Sequence, residues 1–157
     1  MKKRIVFIIF AIAVISIILC IINKRTTYGD DLETIQSEFP NISGIESCHY
    51  KTERIGNLFF DFIGPTNYHL TAVIIIDSDE MEKIARQYEG EKRDKLNEDE
   101  QIKIEIEHRL VENTGIENET VWTFNQEFRM NVLGSRYVGE VYYLEEENAI
   151  YVDVENL

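Results

Sequence analysis

Hydrophobic positions along this chain follow three patterns: one unbroken run, a helical period and a strand period. The run is residues 5–22, where Ser16 is the only hydroxyl, no side chain is charged and fourteen are Ile, Leu, Val or Phe. Eighteen helical residues reach about 27 Å, close to the roughly 30 Å hydrocarbon core of a bilayer. On the insertion scale those fourteen side chains sum to roughly −4 to −8 kcal/mol. A buried core helix would keep polar residues on some face, so the run is predicted to be a transmembrane helix.

Beyond it, residues 23–30 are polar, contain Gly29 and read as a linker. Positions 32–39 hold one or two helical turns closed by Pro40, which disfavours helical geometry in the residue before it. Gly44, Gly56 and the Gly64-Pro65 pair punctuate the next stretch and leave strands at about 46–54 and 57–63. Residues 68–76 are a β-branched run, too short for a helix and apolar on both faces at its end, which marks a central strand. Asp77 or Ser78 can cap the helix that follows. Glu80 completes a capping box with Asp77, while Met81, Ile84, Ala85 and Tyr88 recur at helical spacing and Gly90 ends the helix.

Two later stretches carry conflicting signals. Ile102, Ile104, Ile106 and Leu110 alternate with Lys103, Glu105, Glu107 and Arg109, which is the strand period. Yet Asn97 and Glu100 form a capping box, and Asn113-Thr114-Gly115 resembles a helix C-terminus. Because both ends agree, 98–113 is predicted as helix. Residues 121–132 place Trp122, Phe124, Phe128, Met130 and Val132 on one alternating face and are read as strand. At the C-terminus, 136–144 and 149–155 flank Glu145-Glu146-Glu147-Asn148. Ile150, Val152 and Val154 alternate there with Tyr151, Asp153 and Glu155, as in a hairpin with one wet face.

Strands on either side of a central helix pair predict an α+β fold: a small domain with an antiparallel or mixed sheet and two helices, behind one N-terminal transmembrane helix. The chain divides into a cytoplasmic basic flank (1–4), the membrane helix (5–22), a linker (23–30) and one domain (31–157). A cleaved signal peptide is the competing reading of the N-terminus, since Lys2, Lys3 and Arg4 make a basic region before the run. The run, however, exceeds the length of a signal core, and the best cleavage site, Thr27-Tyr28-Gly29, is poor. Cys20 follows Leu19, where lipoprotein processing needs a small side chain. An uncleaved signal anchor is therefore expected.

Orientation follows from the flanks. Lys2, Lys3, Arg4 and the α-amine precede the run and only Lys24 and Arg25 follow it, which puts the N-terminus in the cytoplasm and the C-terminal domain outside, as a single-pass cell-membrane protein. Cys48 is the only cysteine beyond the run, so the domain forms no internal disulfide. An exported domain without disulfides suits a bacterial surface.

Charge sharpens the picture. Five of the sixteen Lys and Arg lie before residue 26 and all twenty-nine Asp and Glu after it, which leaves eleven cations and a formal −18 for residues 26–157. Such a domain is repelled by nucleic acid and by anionic headgroups.

Candidate chemistry is sparse. Cys48-His49 pairs a nucleophile with a base in sequence, but neighbours on a strand point to opposite faces, which favours a structural thiol and a surface histidine. Glu105-Ile106-Glu107-His108 has the Glu-x-x-His spacing of di-metal helix bundles, which need two such motifs; a solvated charged face explains it better. His49, His69 and His108 show no metal-ligand spacing, and His69 on the central strand is expected to be hydrogen-bonded in place. Asp77-Ser78-Asp79-Glu80 begins like a calcium loop but has Met81 and Glu82 where a ligand and a turn glycine belong, so it reads as an acidic helix N-terminus. Gly64-Pro65-Thr66-Asn67 is a turn rather than a phosphate loop, and Asn41 and Asn118 head glycosylation patterns that matter only in a eukaryotic secretory host.

No catalytic, cofactor or metal residue is assigned. The expectation is a membrane-anchored extracytoplasmic acidic domain, a non-catalytic protein-interaction, accessory or immunity-like module. Its partners are the bilayer through residues 5–22 and a basic protein. The alternative is an envelope hydrolase using Cys48 with a histidine distant in sequence.

Overall fold

The computed structural model describes residues 12–16, 26–55, 67–89 and 100–156. The β-branched run at the middle of the sequence is also the middle of the sheet. Strand β3 (Asn67–Ile76) pairs on one side with β2 (Ile45–Ile55) and on the other with the last strand, β7 (Ala149–Asn156). Outside β2 lies β1 (Thr26–Gly29); outside β7 come β6 (Tyr137–Leu144), β5 (Glu119–Phe124) and β4 (Glu100–Glu105). The order is β1-β2-β3-β7-β6-β5-β4, every pair antiparallel, so two meanders meet along β3 and β7.

Strand alternation gives the sheet two different faces. On the first, Leu70, Ala72, Ile74, Val141, Ile150 and Val152 form the floor of the main core. Three short helices cover it: α1 (Leu32–Glu38), α2 (Ser78–Glu89) and α4 (Gln126–Leu133). They insert Ile35 from α1, Met81 and Tyr88 from α2, and Phe128, Val132 and Leu133 from α4. Each such side chain removed from water contributes roughly 1.5–3 kcal/mol. On the second face, Val73, Trp122, Ala149 and Tyr151 pack under Ile106, Leu110 and Val111, the last two from the four-residue α3 (His108–Val111).

The fold differs from the α+β arrangement of an antiparallel or mixed sheet with two helices. An antiparallel seven-stranded sheet dominates, and the helices are few and short. The correction turns on 98–113. Glu100–Glu105 is strand, with Ile102 opposite Trp122, Ile104 opposite Thr120, and Lys103 ion-paired to Glu119 at 2.5 Å. The helix-stop signal is real, with Asn113 at φ 64° and Gly115 at φ 83°, but the helix it closes begins only at His108. The strand read at 121–132 stops at Phe124, because Asn125 caps α4: its Oδ1 accepts from the Glu127 and Phe128 amides at 3.0 Å each.

Residues 23–30, read as a linker, include edge strand β1. On β7 the wet face expected of the C-terminal hairpin shrinks to Asp153 and Glu155, since Tyr151 is buried beneath the α3 segment. Among the described residues no helix is long and apolar enough to cross a membrane. Residues 12–16 are helical and exposed; the rest of the run 5–22 lies outside the described residues, as does the strand expected at 57–63.

Candidate functional site

The second face changes character along the strands. Antiparallel register sets its side chains in rows, one residue from each strand. The row through Tyr142, Tyr151 and Val73 is aromatic and apolar. The next row is Glu140, Asp153, Thr71, Lys51 and Tyr28, and the one after it Val138, Glu155, His69, Glu53 and Thr26. The α3 segment covers the apolar end, whereas the Glu53, His69 and Asp153 side chains are 43%, 31% and 42% exposed.

A chain of polar contacts crosses this wet end. The Tyr28 hydroxyl donates to Glu107, whose other oxygen lies 3.1 Å from Lys51 Nζ. Lys51 also reaches Glu53 at 3.1 Å, and Thr26 Oγ1 donates to the same Glu53 oxygen at 3.3 Å. His69 Nδ1 stands 3.9 Å from Glu53 while its Nε2 bonds Asp153. Arg109 from α3 closes the far end, its guanidinium 4.0 Å from the Tyr28 ring centroid. Beside it, Gly29, Asp30, His49, Tyr50 and Arg109 help line an open cleft of about 200 Å³.

The titrations follow these contacts. The bond from Tyr28 holds the Glu107 carboxyl below its ordinary value, and the bond from Lys51 does the same for Glu53. Lys51 is raised in return, chiefly by Glu107. Depressed carboxylates stabilise the fold above their unfolded pKa, and that contribution is lost as pH falls through the lower folded values. At these exposures the effect is small.

A second cleft, about 340 Å³, opens on the first face beside Thr27, Thr34, Glu38, Thr52, Arg54 and Tyr68. Tyr137 donates to Glu38 and accepts from the Tyr68 hydroxyl at 2.9 Å; Arg136 holds Glu38 at 3.2 Å. Burial, then the contacts with Glu38 and Tyr68, push the Tyr137 hydroxyl far above its ordinary value.

The sequence candidates separate. Cys48 is 2% exposed on the first face, opposite Ile74, and burial followed by the charges of Asp30 and Asp31 pushes its thiol up to about 11. His49 and His69 lie on the other face by register, and His108 begins the helix that packs there, so none of the three histidines meets Cys48. Fewer than one thiol in a thousand is ionised at neutral pH under such a shift. Labelling of Cys48 by a thiol reagent in the folded protein should therefore be slow and reach the free-cysteine rate only on unfolding; rapid stoichiometric labelling at pH 7 would revive a nucleophilic role.

Glu105 ends a strand and His108 starts a helix, so the Glu-x-x-His spacing never forms one helical face. Asp77 is a cap, its Oδ1 accepting from the Glu80 amide at 2.9 Å, and Glu80 bonds Ser43 and Lys83. Asn41 donates to the Asn131 carbonyl at 2.7 Å and Asn118 to that of Ile106 at 3.2 Å. Of the 64–67 turn only Asn67, the first residue of β3, is described.

Tyr28, Lys51, Glu53, Arg109 and Asp153 were not site candidates in the sequence, and Glu107 entered only inside the Glu-x-x-His stretch. They engage one another and His69 across the wet end, with Glu53, His69 and Asp153 left partly exposed. Among known proteins, no family, curated sequence or solved structure matches the chain.

Proposed function

We propose that the chain is a non-catalytic docking domain for a basic protein partner, held at the outer face of the cell membrane through the apolar run 5–22. The observation that carries this reading is where the positive charge goes. Lys51, Lys83, Arg86, Lys103, Arg129 and Arg136 all lie in ion pairs with carboxylates of the same fold. Among the described residues, Glu145–Glu147 at the turn between β6 and β7 are exposed and add to the −18 balance of residues 26–157. A field of one sign speeds encounter with a positive surface and is screened beyond about 8 Å at physiological ionic strength.

A partner captured from the envelope should be basic, and its on-rate should fall about tenfold from low to physiological salt, with a smaller change in off-rate. Replacing Glu145, Glu146 and Glu147 with glutamine should mimic added salt without altering the unfolding curve. An acidic partner, or an on-rate indifferent to salt, would leave the charge as a solubility device.

A further inference from the structure

We infer that the half-open aromatic row of the second face is the place where that partner docks an arginine side chain. The inference rests on the basic-partner reading and gives it a location.

Register across β5, β6 and β7 sets Phe124, Tyr142 and Tyr151 side by side. Ring centroids are 5.7 Å apart for Phe124 and Tyr142, and 6.0 Å for Tyr142 and Tyr151, the latter pair stacked at 29°. Tyr151 is buried, whereas Phe124 and Tyr142 are only half covered. Carboxylates surround the Tyr142 ring: Glu140 lies two residues along its own strand, Asp153 sits opposite Glu140, and Glu100 pairs with Phe124. Burial first, and then the charges of these three, raise the Tyr142 hydroxyl above its ordinary value, with Arg129 acting the other way. An aromatic face is itself electron-rich, so ring and carboxylates attract the same ligand, a cation.

The fold already contains a filled version of this arrangement. Arg109 lies over Tyr28, and Glu107 accepts that tyrosine's hydroxyl. Among the described residues no cation lies over Tyr142. Arg129 does not cover that ring: it donates to the Gly139 carbonyl at 2.5 Å with Glu140 3.5 Å away, although its charge reaches the Tyr142 hydroxyl. Arginine fits better than lysine because its planar guanidinium stacks on a ring while its edge pairs with a carboxylate.

The test uses the full chain in a neutral detergent, titrated calorimetrically with an octapeptide of alternating glycine and arginine. Tyr142→Leu should weaken binding about fivefold, and Tyr142→Phe, which keeps the ring, should restore it. The lysine version of the peptide should bind more weakly than the arginine version. Unfolding curves that superimpose for the two variants separate this loss from misfolding. If Tyr142→Leu binds as well as the unaltered chain while the Glu145, Glu146 and Glu147 to Gln variant does not, docking occurs at the hairpin tip. The platform is then wrong and the basic-partner reading stands. No binding at low salt sinks both.

Discussion

Gly139→Ala is expected to cost roughly 3–5 kcal/mol, the sum of a strained backbone and an overpacked interior. Gly139 sits inside β6 opposite Val154, with φ at +149°, where L side chains are rare. An added Cβ would stand 2.6 Å from Val154 Cα and collide with the Asp153 carbonyl oxygen. Both are backbone atoms of the neighbouring strand, so no side-chain rotation relieves the clash. The pairing at stake aligns Glu140 with Asp153 and Tyr142 with Tyr151, so the second face would be disordered along with the strand. Gly134 provides the control. Its φ is +57°, but its Cβ would meet nothing within 4 Å, so alanine there should cost only the backbone strain, roughly 1–2 kcal/mol. Urea unfolding of both variants checks the contrast, and equal, mild losses would show that β6 and β7 are not packed this closely.

Where local pattern and tertiary environment agree, the sequence was readable. The β-branched run became the central strand, Asp77 capped α2 as its spacing implied, and the C-terminal alternation became β6 and β7. Reading failed where the deciding partner is distant. The alternation of Ile102 and Ile104 competes evenly with flanking capping signals until Trp122 and Thr120 are present across the ladder. Phe128 and Val132 fit a strand period and an i, i+4 helical spacing equally well. The overlooked cue was Asn125, a residue that favours helix caps and breaks strands. Polar Thr26 and Thr27 looked like linker because an edge strand needs a ladder partner more than an apolar side chain, and β2 supplies it.

The candidate site was less readable still. Parity along one strand was enough to separate Cys48 from His49, since it is a local rule. Contacts such as Tyr28 with Glu107 and His69 with Asp153 span 79 and 84 positions. They exist because β7 docks beside β3 and the chain leaving β4 folds back over β1 and β2. No periodicity encodes a strand order. Burial of Tyr151 had the same origin: its polar neighbours Asp153 and Glu155 suggested water, and the α3 segment removed it.

Trp122→Ala should be the most damaging truncation in the second cluster. The indole is fully buried, its ring 5.8 Å from that of Tyr151, and it packs with Ile106, Leu110 and Val111 in the only cluster that fastens α3 to the sheet among the described residues. Tryptophan-to-alanine changes in such settings cost about 3–5 kcal/mol, a large share of a stability of about 5–15 kcal/mol. Phenylalanine distinguishes the packing term from a polar one. Trp122 Nε1 is buried with no hydrogen-bond partner among the described residues, a condition that costs about 1–3 kcal/mol. Trp122→Phe keeps an aromatic ring against Tyr151 and deletes that donor, so lost volume and relieved desolvation oppose each other. The net loss should be about 1 kcal/mol or less. In urea unfolding, the phenylalanine variant should therefore lie close to the unaltered chain and the alanine variant far below it. A phenylalanine variant as unstable as the alanine one would mean that the indole N–H is satisfied and contributes. An alanine variant near neutral would mean that α3 is held by its polar contacts, with Arg109 over Tyr28 and Lys51 against Glu107, rather than by the core beneath it.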